Sequence, residues 1–188
     1  MKKAQDEVRS LISNKEKVVE SDLDQLHYLK SIIKETIRFY PPGPLLLQRE
    51  TIQDCKINDY DIPVKTRLLI STWAIGRDPN VRERSDEFYR DIFMNNSIDY
   101  QGHDFQFIPF GAGRRICPGM QSAILVFELT LVNLLYLFDW ESLKRLSKEN
   151  IDMSEAPGVT LKRKSALILL PKSSRCKGPI SISVKSSD

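Results

Sequence analysis

Cysteine and histidine are scarce in this 188-residue chain, and their scarcity excludes several kinds of site. The three cysteines, at positions 55, 117 and 176, form no Cys-x-x-Cys pair. Their number and spacing exclude a disulfide framework and favour a reducing compartment. The two histidines, His27 and His103, have no second ligand at metal spacing, so we predict that both lie on the surface. We expect Cys55 to pack within a strand and Cys176 to lie in the tail.

The chain also lacks an excess of charge of one sign and an unbroken apolar run of membrane length. The 28 Lys+Arg nearly balance the 25 Asp+Glu, and a net charge of +3 gives no reason to predict nucleic acid binding. Met1 is followed by Lys2 and Lys3 rather than by an apolar segment. We therefore expect neither a signal peptide nor a membrane anchor within the chain.

What the chain does contain is a glycine-rich stretch, FIPFGAGRRICPGM at residues 107–120, followed by an apolar run. Its glycines, at positions 111, 113 and 119, allow tight turns and close approach to a flat ligand. Pro118 suits the first position of a helix predicted from Met120 to about Leu137. Free amides at that helix N-terminus favour a thiolate at Cys117. A lone thiolate cannot complete a closed zinc site, but it can be the one protein ligand of haem iron.

The pattern Phe-x-x-Gly-x-Arg-x-Cys-x-Gly resembles the haem-binding loop of the cytochrome P-450 monooxygenases. It is filled in register by Phe110, Gly113, Arg115, Cys117 and Gly119. The alternative is a buried structural cysteine in a glycine-rich turn. Five matching positions within ten residues favour the haem loop.

Glu35 and Arg38 lie three residues apart on a second predicted helix and therefore share a face. Taken alone, they are typical of a solvated pair that contributes less than about 1 kcal/mol. The resemblance implies instead a Glu-x-x-Arg pair behind the haem, in a buried charge network that fixes the cysteine loop. It also implies an arginine where this chain has Ile92, and losing one partner of a buried network costs about 3–5 kcal/mol. Arg82 stands where this branch usually carries tryptophan.

The resemblance covers residues 1 to about 171 and is closest to the plant microsomal branch of the family. The stretches that carry it are 44–50, 60–63, 73–79 and 138–140. It implies that Arg49 and Arg115 contact the haem propionates, a role that suits guanidinium groups. It further implies that the turn at Val159 lines the substrate pocket together with Leu45, Leu46 and Leu47. From the residues alone, these apolar side chains could equally be plain core.

Hydrophobic spacing predicts a mainly α fold with small β-sheets, of the α+β class. We predict helices over residues 1–13, from Ser21 or Asp22 to about Tyr40, and over 73–77. Strand-like runs at 45–47, 55–57 and 67–70 precede a closing hairpin of 160–161 with 166–170. Residues 80–106 should be irregular and held to the core by aromatic side chains, namely Phe88, Tyr89, Phe93, Tyr100 and Phe105. We expect residues 1–171 to form the C-terminal haem-binding portion of a cytochrome P-450 domain, truncated at its N-terminus, and 172–188 to be a disordered tail.

The function that the resemblance implies is insertion of one oxygen atom of O₂ into a lipophilic small molecule, such as a plant terpenoid or phenolic. The cofactor would be haem b, with electrons from NADPH supplied by a partner reductase flavoprotein. The full-length family lies on the cytoplasmic face of the endoplasmic reticulum, whereas this chain, without an anchor, is expected to be cytosolic if it stands alone. No stretch supplies the acidic-Thr helix that activates oxygen, so we expect the chain alone to be inactive. The alternative is a non-catalytic remnant that binds haem weakly or acts only through protein association.

Overall fold

The computed structural model describes residues 1–12, 15, 18–94, 96–142 and 151–174. Its helices are α1 Lys2–Leu11, α2 His27–Phe39, α3 Thr72–Gly76 and α4 Met120–Leu137. Its strands are β1 Arg49–Glu50, β2 Cys55–Ile57, β3 Tyr60–Ile62, β4 Arg67–Leu68, β5 Phe138–Ser142, β6 Glu155–Ala156, β7 Lys162–Arg163 and β8 Leu169–Ser173. Short 3₁₀ turns occupy Glu20–Asp22, Arg90–Phe93 and Gly113–Arg115. The described part of the chain thus confirms the predicted class, helices accompanied by small sheets.

The first of two compact units comprises Met1–Leu26, Leu125–Asp152 and Ala166–Asp188. Helix α1 buries Ala4 and Val8, as its helical spacing of apolar residues predicts. The side chains of Gln5 and Arg9 both donate hydrogen bonds of 3.0 Å to the carbonyl oxygen of Phe138. That residue begins β5, which pairs antiparallel with β8. Helix α1 is therefore fixed to this sheet by polar as well as apolar contacts.

The second unit comprises His27–Ile124 and Met153–Ser165. Helix α2 buries Leu29, Ile33 and Ile37 on one face, and the 3₁₀ turn Arg90–Phe93 packs against it. Three antiparallel two-stranded sheets complete the unit, with β1 paired to β4, β2 to β3, and β6 to β7. The ring of Phe93 packs on that of Phe107, with centroids 4.9 Å apart. This contact joins the turn beside α2 to the start of the glycine-rich stretch.

The start of α2 differs from the prediction, whereas its end agrees. The helix begins at His27 rather than after Ser21 or Asp22. The Asp22 carboxylate instead accepts hydrogen bonds from the Val19 backbone N–H and the Lys15 ammonium, within its own 3₁₀ turn. The helix ends at Phe39 because prolines follow from Pro41. Asp22 does accept a backbone hydrogen bond, as a cap residue would, but in the turn Glu20–Asp22 and not at the start of α2.

Strand pairing also departs from the prediction. Residues 45–47 form no strand, and Leu46 adopts a left-handed φ of 51°. Residues 160–161 and 166–170 do not form a hairpin, because β7 pairs with β6 and β8 pairs with β5. Local turn residues could not reveal these partners, since β5 and β8 are separated by some thirty residues of sequence. Lys172 and Ser173 belong to β8, while residues 175–188, Cys176 among them, lie outside the described residues.

The single residues predicted to be buried or exposed gave mixed outcomes. His27 and His103 are exposed, as predicted. Phe93 is buried, and Phe88, although 45% exposed, packs edge-on against Phe39 of α2, with ring centroids 6.2 Å apart. Tyr100 packs in the same way against Phe110, whereas Phe105 is 74% exposed and does not hold the segment to a core. Cys55 is exposed, so the prediction that it packs within its strand is wrong.

Helix α4 corrects the expectation about apolar runs. Its 18 residues are long and apolar enough to cross a membrane by length and composition, and 28% of them are buried. Glu128 and Asn133 interrupt the run of apolar letters without lowering its average hydropathy enough to fail this criterion. Core helices of soluble proteins pass the same test, so the helix by itself assigns no membrane role.

Candidate haem-binding site

The Glu35–Arg38 pair is entirely buried. Arg38 Nε donates to Glu35 Oε2 at 2.6 Å and Arg38 Nη2 donates to Glu35 Oε1 at 2.8 Å, and neither side chain is exposed. The two residues lie on one face of α2, three positions apart, and the planar guanidinium matches the carboxylate in a two-pronged contact. The pair is therefore not a solvated surface pair, which was the interpretation that the two residues alone favoured.

Backbone carbonyls take up the remaining donors of Arg38. Nη1 donates to the carbonyl oxygens of Gly76 and Ser85, at 2.5 and 2.8 Å. Nη2 also donates to the carbonyl oxygen of Glu87 at 2.8 Å. All five N–H groups of the guanidinium are thus used. The Glu35 carboxylate accepts one further bond, of 2.6 Å, from the backbone N–H of Tyr89.

These contacts revise the expectation attached to Ile92. We expected the network to lack one partner at that position, at a substantial cost in stability. Ile92 is partly exposed in the turn Arg90–Phe93, and Arg38 is fully hydrogen-bonded without an arginine there. The pair instead binds the end of α3 and segment 85–89 through hydrogen bonds to backbone groups.

The loop that carries Cys117 is shaped by its own backbone hydrogen bonds. The Cys117 N–H donates to the Phe110 carbonyl oxygen at 3.0 Å, and the Ile116 N–H donates to that of Gly113 at 3.1 Å. Gly111 and Gly113 have positive φ angles of 79° and 67°, which glycine adopts without strain. Helix α4 begins at Met120, not at Pro118, so Cys117 lies three residues before its first residue. The thiol of Cys117 is free and exposed.

The structure brings Arg49 and Leu46 to this loop. Arg49 Nη2 and Leu46 Cδ1 each lie 3.8 Å from the position that a β-carbon on Gly111 would take. Arg115 is exposed on the same loop, in the turn Gly113–Arg115. Two of the residues predicted to bind the cofactor, Arg49 and Cys117, are therefore held on or against one short stretch of backbone. No ion pair involves Arg49 or Arg115 within the described ranges.

The residues predicted to line a substrate pocket are exposed rather than packed as core. Leu45, Leu47 and Val159 are 48%, 81% and 82% exposed. The Leu161 N–H donates to the Pro42 carbonyl oxygen at 3.0 Å. This hydrogen bond joins the backbone just after Val159 to the backbone just before segment 45–47. Exposed apolar side chains of this kind suit contact with an apolar ligand or with further protein.

The sequence analysis missed Gly102, and it noted Arg82 without predicting that its side chain is buried. Gly102 has a φ of +83°, and a β-carbon there would lie 3.0 Å from the Gly111 carbonyl oxygen and 3.1 Å from Ala112 Cα. Arg82 is only 8% exposed; burial lowers the pKa of its guanidinium, as does the nearby Arg38, whereas Glu35 raises it. The Gln-Gly-His sequence at 101–103 was a turn signal for Gly102. The signal for the burial of Arg82 was its place where the branch usually carries tryptophan, a residue that is highly buried on average.

The donor set fits a haem better than a bare metal ion. Among the described residues, no three His, Cys, Asp or Glu side chains come together as a metal site. The loop offers one exposed thiol, which suits the iron of a haem, and two guanidinium groups, which suit its two propionate carboxylates. The residues that would hold it are Cys117, Arg49 and Arg115.

Comparison with known proteins identifies the class to which this arrangement belongs. The profile described as Cytochrome P450 matches residues 1–170. The chain therefore belongs to the cytochrome P450 family, as the cysteine loop predicted.

Similar curated proteins include plant cytochromes P450. Cytochrome P450 71A1 of Persea americana is 55% identical over 92% of this chain, and cytochrome P450 71B25 of Arabidopsis thaliana is 52% identical over 91%. The matched region is 34% of the length of each of these proteins. A solved structure described as a zebra fish cytochrome P450 with progesterone has a TM-score of 0.75, 24% identity, and coverage of 91% of this chain and 37% of that chain. This likeness shows the fold, and the chain spans about one third of the relatives it matches.

Proposed function

We propose that this chain is the C-terminal, haem-binding portion of a cytochrome P450 monooxygenase and that Cys117 is the axial thiolate ligand of haem b. The observation that carries the proposal is the free, exposed thiol of Cys117, at the end of a loop fixed by the hydrogen bond from its N–H to Phe110. When bound, the haem supplies the chemistry of oxygen insertion, and the protein binds and orients it. The proposed substrate is a lipophilic small molecule, and the proposed electron source is NADPH through a reductase flavoprotein.

The individual residues have separate proposed roles. Arg49 and Arg115 would bind the propionates by charge-assisted hydrogen bonds. Phe110, Gly113 and Gly119 shape the loop around the ligand. Glu35 and Arg38 hold the segments behind it through their buried network. The exposed side chains of Leu45, Leu47 and Val159, together with the half-buried Leu46, would contact substrate.

The proposal extends to the organisation and location of the whole protein. Residues 1–171 would be part of one cytochrome P450 domain, and Lys172 and Ser173 join it as the end of β8 rather than as a tail. The whole enzyme would lie on the cytoplasmic face of the endoplasmic reticulum, as the resemblance to the microsomal branch implies.

Ligation by Cys117 is tested by the spectrum of the reduced protein with haem and carbon monoxide. The red-shifted band of a thiolate-ligated complex should form in the wild-type chain and in Cys55→Ala and Cys176→Ala. It should be absent from Cys117→Ala. Cys55 is the matched control, because it too is free and exposed but lies on β2. Retention of the band in Cys117→Ala would contradict the assignment.

We further propose that the 188 residues alone do not hydroxylate substrate. With Cys117, Leu47 and Val159 exposed, the ligand side of the loop is open to water, and exclusion of water is what prevents loss of reactive oxygen. Given reductase, NADPH, and terpenoid and phenolic substrates, the chain should consume NADPH without forming product. A hydroxylated product that depends on Cys117 would contradict this. Self-association in place of haem binding would favour the alternative of a non-catalytic chain that acts through protein contacts.

A further inference from the structure

Arg82 is a buried cation that the proposed haem site does not itself use. Arg82 lies in the turn that follows α3, where its backbone N–H donates to the Asp78 carbonyl oxygen at 3.1 Å. Nη1 donates to the carbonyl oxygen of Gln106 at 3.2 Å. Nη2 is buried and meets no hydrogen-bond acceptor among the described residues. With 8% of the residue exposed, such a group needs a compensating negative charge.

The surroundings of Arg82 provide one carboxylate. Glu35 is fully buried, and its charge raises the pKa of Arg82 against the lowering effects of burial and of Arg38. Arg38 reaches the same part of the chain, since it bonds the carbonyl oxygens of Ser85 and Glu87. Arg82 and the Glu35–Arg38 pair thus belong to the same buried region of the second unit.

Gln106 lies between these buried side chains, Arg38 and Arg82, and the cysteine loop. It lines a narrow cavity together with Arg38 and Gly76. The next residue, Phe107, is buried and packs on Phe93. Three residues further on, the Phe110 carbonyl oxygen accepts the hydrogen bond from the Cys117 N–H.

We propose that Arg82 is a positioning residue for Cys117, because its guanidinium ties the backbone at Gln106 to segment 78–87, which Arg38 also holds through the carbonyl oxygens of Ser85 and Glu87. The start of the cysteine loop is then held by a side chain from segment 78–87, in addition to the loop's own hydrogen bonds. The effect of Arg82 on haem ligation rests on the proposed function. Its effect on the folded structure does not.

The experiment compares Arg82→Gln and Arg82→Lys with Arg84→Gln as the matched control. Arg84 lies two residues away and pairs with Glu87, but that pair is exposed. Melting temperature is followed by circular dichroism of the 188-residue chain, and ligation by the proportion of the carbon monoxide complex that shows the thiolate band. Arg82→Gln should lower the melting temperature by roughly 4–8 °C and reduce the thiolate proportion. Arg82→Lys, which keeps the charge, should lie between Arg82→Gln and wild type in both measurements, and Arg84→Gln should match wild type.

Several results would overturn the proposal. Equal behaviour of Arg82→Gln and Arg84→Gln would show that the tie does not exist. A lower melting temperature with an unchanged thiolate proportion would show a structural role without positioning of Cys117. If Arg82→Gln does not fold, Arg82→Lys decides, and a melting temperature equal to wild type overturns the proposal. Absence of the thiolate band in the wild-type chain would contradict the proposed function, whereas the melting temperatures would still test the tie.

Discussion

Glu35 and Arg38 are joined by two hydrogen bonds, of 2.6 and 2.8 Å, in a place where neither side chain is exposed to solvent. Burial of two charges is favourable only when their remaining hydrogen-bonding groups are also satisfied. Three backbone carbonyls and one backbone N–H, from residues between 76 and 89, meet that requirement. The pair therefore organises a segment that has little regular secondary structure of its own.

Arg38→Lys should be strongly destabilising, although the charge is kept. A lysine ammonium has three donors and no planar fork, so carbonyls that Arg38 now satisfies would be left unpaired in the interior. We expect a loss of roughly 3 kcal/mol, the lower end of the range for breaking a buried pair. In a chain of this size, that corresponds to about 6–12 °C in melting temperature.

The matched control for this prediction is Arg84→Lys. The Arg84–Glu87 pair has the same three-residue spacing, but its side chains are 53% and 58% exposed. Exposed pairs contribute less than about 1 kcal/mol, so the control should melt within a few degrees of wild type. Equal losses in the two variants would contradict the importance of the buried network.

Gly76→Ala should destabilise the protein by a steric effect on the same network. A β-carbon at Gly76 would lie 2.8 Å from the backbone carbonyl oxygen of Arg38. The helix end must then move, which lengthens the bond from Arg38 Nη1 to the Gly76 carbonyl oxygen. Overpacking of this kind costs about 1–3 kcal/mol, despite the better intrinsic helix propensity of alanine.

Gly43→Ala serves as the control for Gly76→Ala, measured by urea unfolding. In the part of the chain that the structure describes, no atom lies within 4 Å of a β-carbon at Gly43, so the unfolding free energy of this variant should differ from wild type by less than about 0.5 kcal/mol. A stabilised Gly76→Ala variant would show that helix propensity outweighs the contact, and the prediction would be wrong.

The sequence was informative where the structure depends on near neighbours. The spacing of Glu35 and Arg38, the end of α2 before Pro41, and the extent of α4 all follow from local periodicity and from the geometry of proline. Burial of the Glu35–Arg38 pair did not follow from the two residues alone. Its carbonyl partners, Gly76, Ser85 and Glu87, are 38 to 49 residues away along the chain, and any residue has a carbonyl to offer.

The wrong strand pairing has the same cause, whereas the error at Asp22 is a local one. Asp22 is a suitable acceptor for backbone N–H groups, and it does accept one, but the turn Glu20–Asp22 intervenes before α2. The strand at 169–173 was predicted in part, yet its partner β5 ends at Ser142, far from it along the chain. Patterns of apolar and turn residues identify an element, whereas tertiary packing selects its partner.

Asp22 gives a prediction about pH. The hydrogen bond from Lys15, followed by that from the Val19 N–H, lowers the pKa of its carboxyl group. Because the folded-state pKa is below the unfolded value of about 3.9, the stabilisation by Asp22 is fully present above that pH. It is lost as the pH falls through the folded-state pKa.

The measurement is the melting temperature of wild type and Asp22→Asn between pH 6 and pH 3. Wild type should be the more stable at pH 6, and the difference should shrink as the pH falls below 4. Glu20→Gln, in the same exposed turn, should show a smaller difference across the range. A gap between wild type and Asp22→Asn that is independent of pH would contradict the role of the carboxylate.

Gly102→Ala should disturb the cysteine loop more than a substitution within the loop itself. Gly102 has a φ of +83°, so alanine there carries the cost of a left-handed residue, about 1–2 kcal/mol. Its β-carbon would in addition lie 3.0 Å from both the Gly111 carbonyl oxygen and Ile116 Cδ1. The flexible Ile116 side chain can move, but the Gly111 backbone can do so only by shifting the loop that ends at Cys117.

Gly113→Ala provides the comparison, since Gly113 also has a positive φ, of 67°, but no atom of the described residues lies within 4 Å of a β-carbon there. Both variants should be destabilised by the cost of a left-handed alanine. Gly102→Ala should show an additional loss of unfolding free energy and a smaller proportion of thiolate-ligated carbon monoxide complex. This additional loss measures the contact between segment 99–104 and the loop. Equal losses in the two variants would show that this contact does not hold the loop in place.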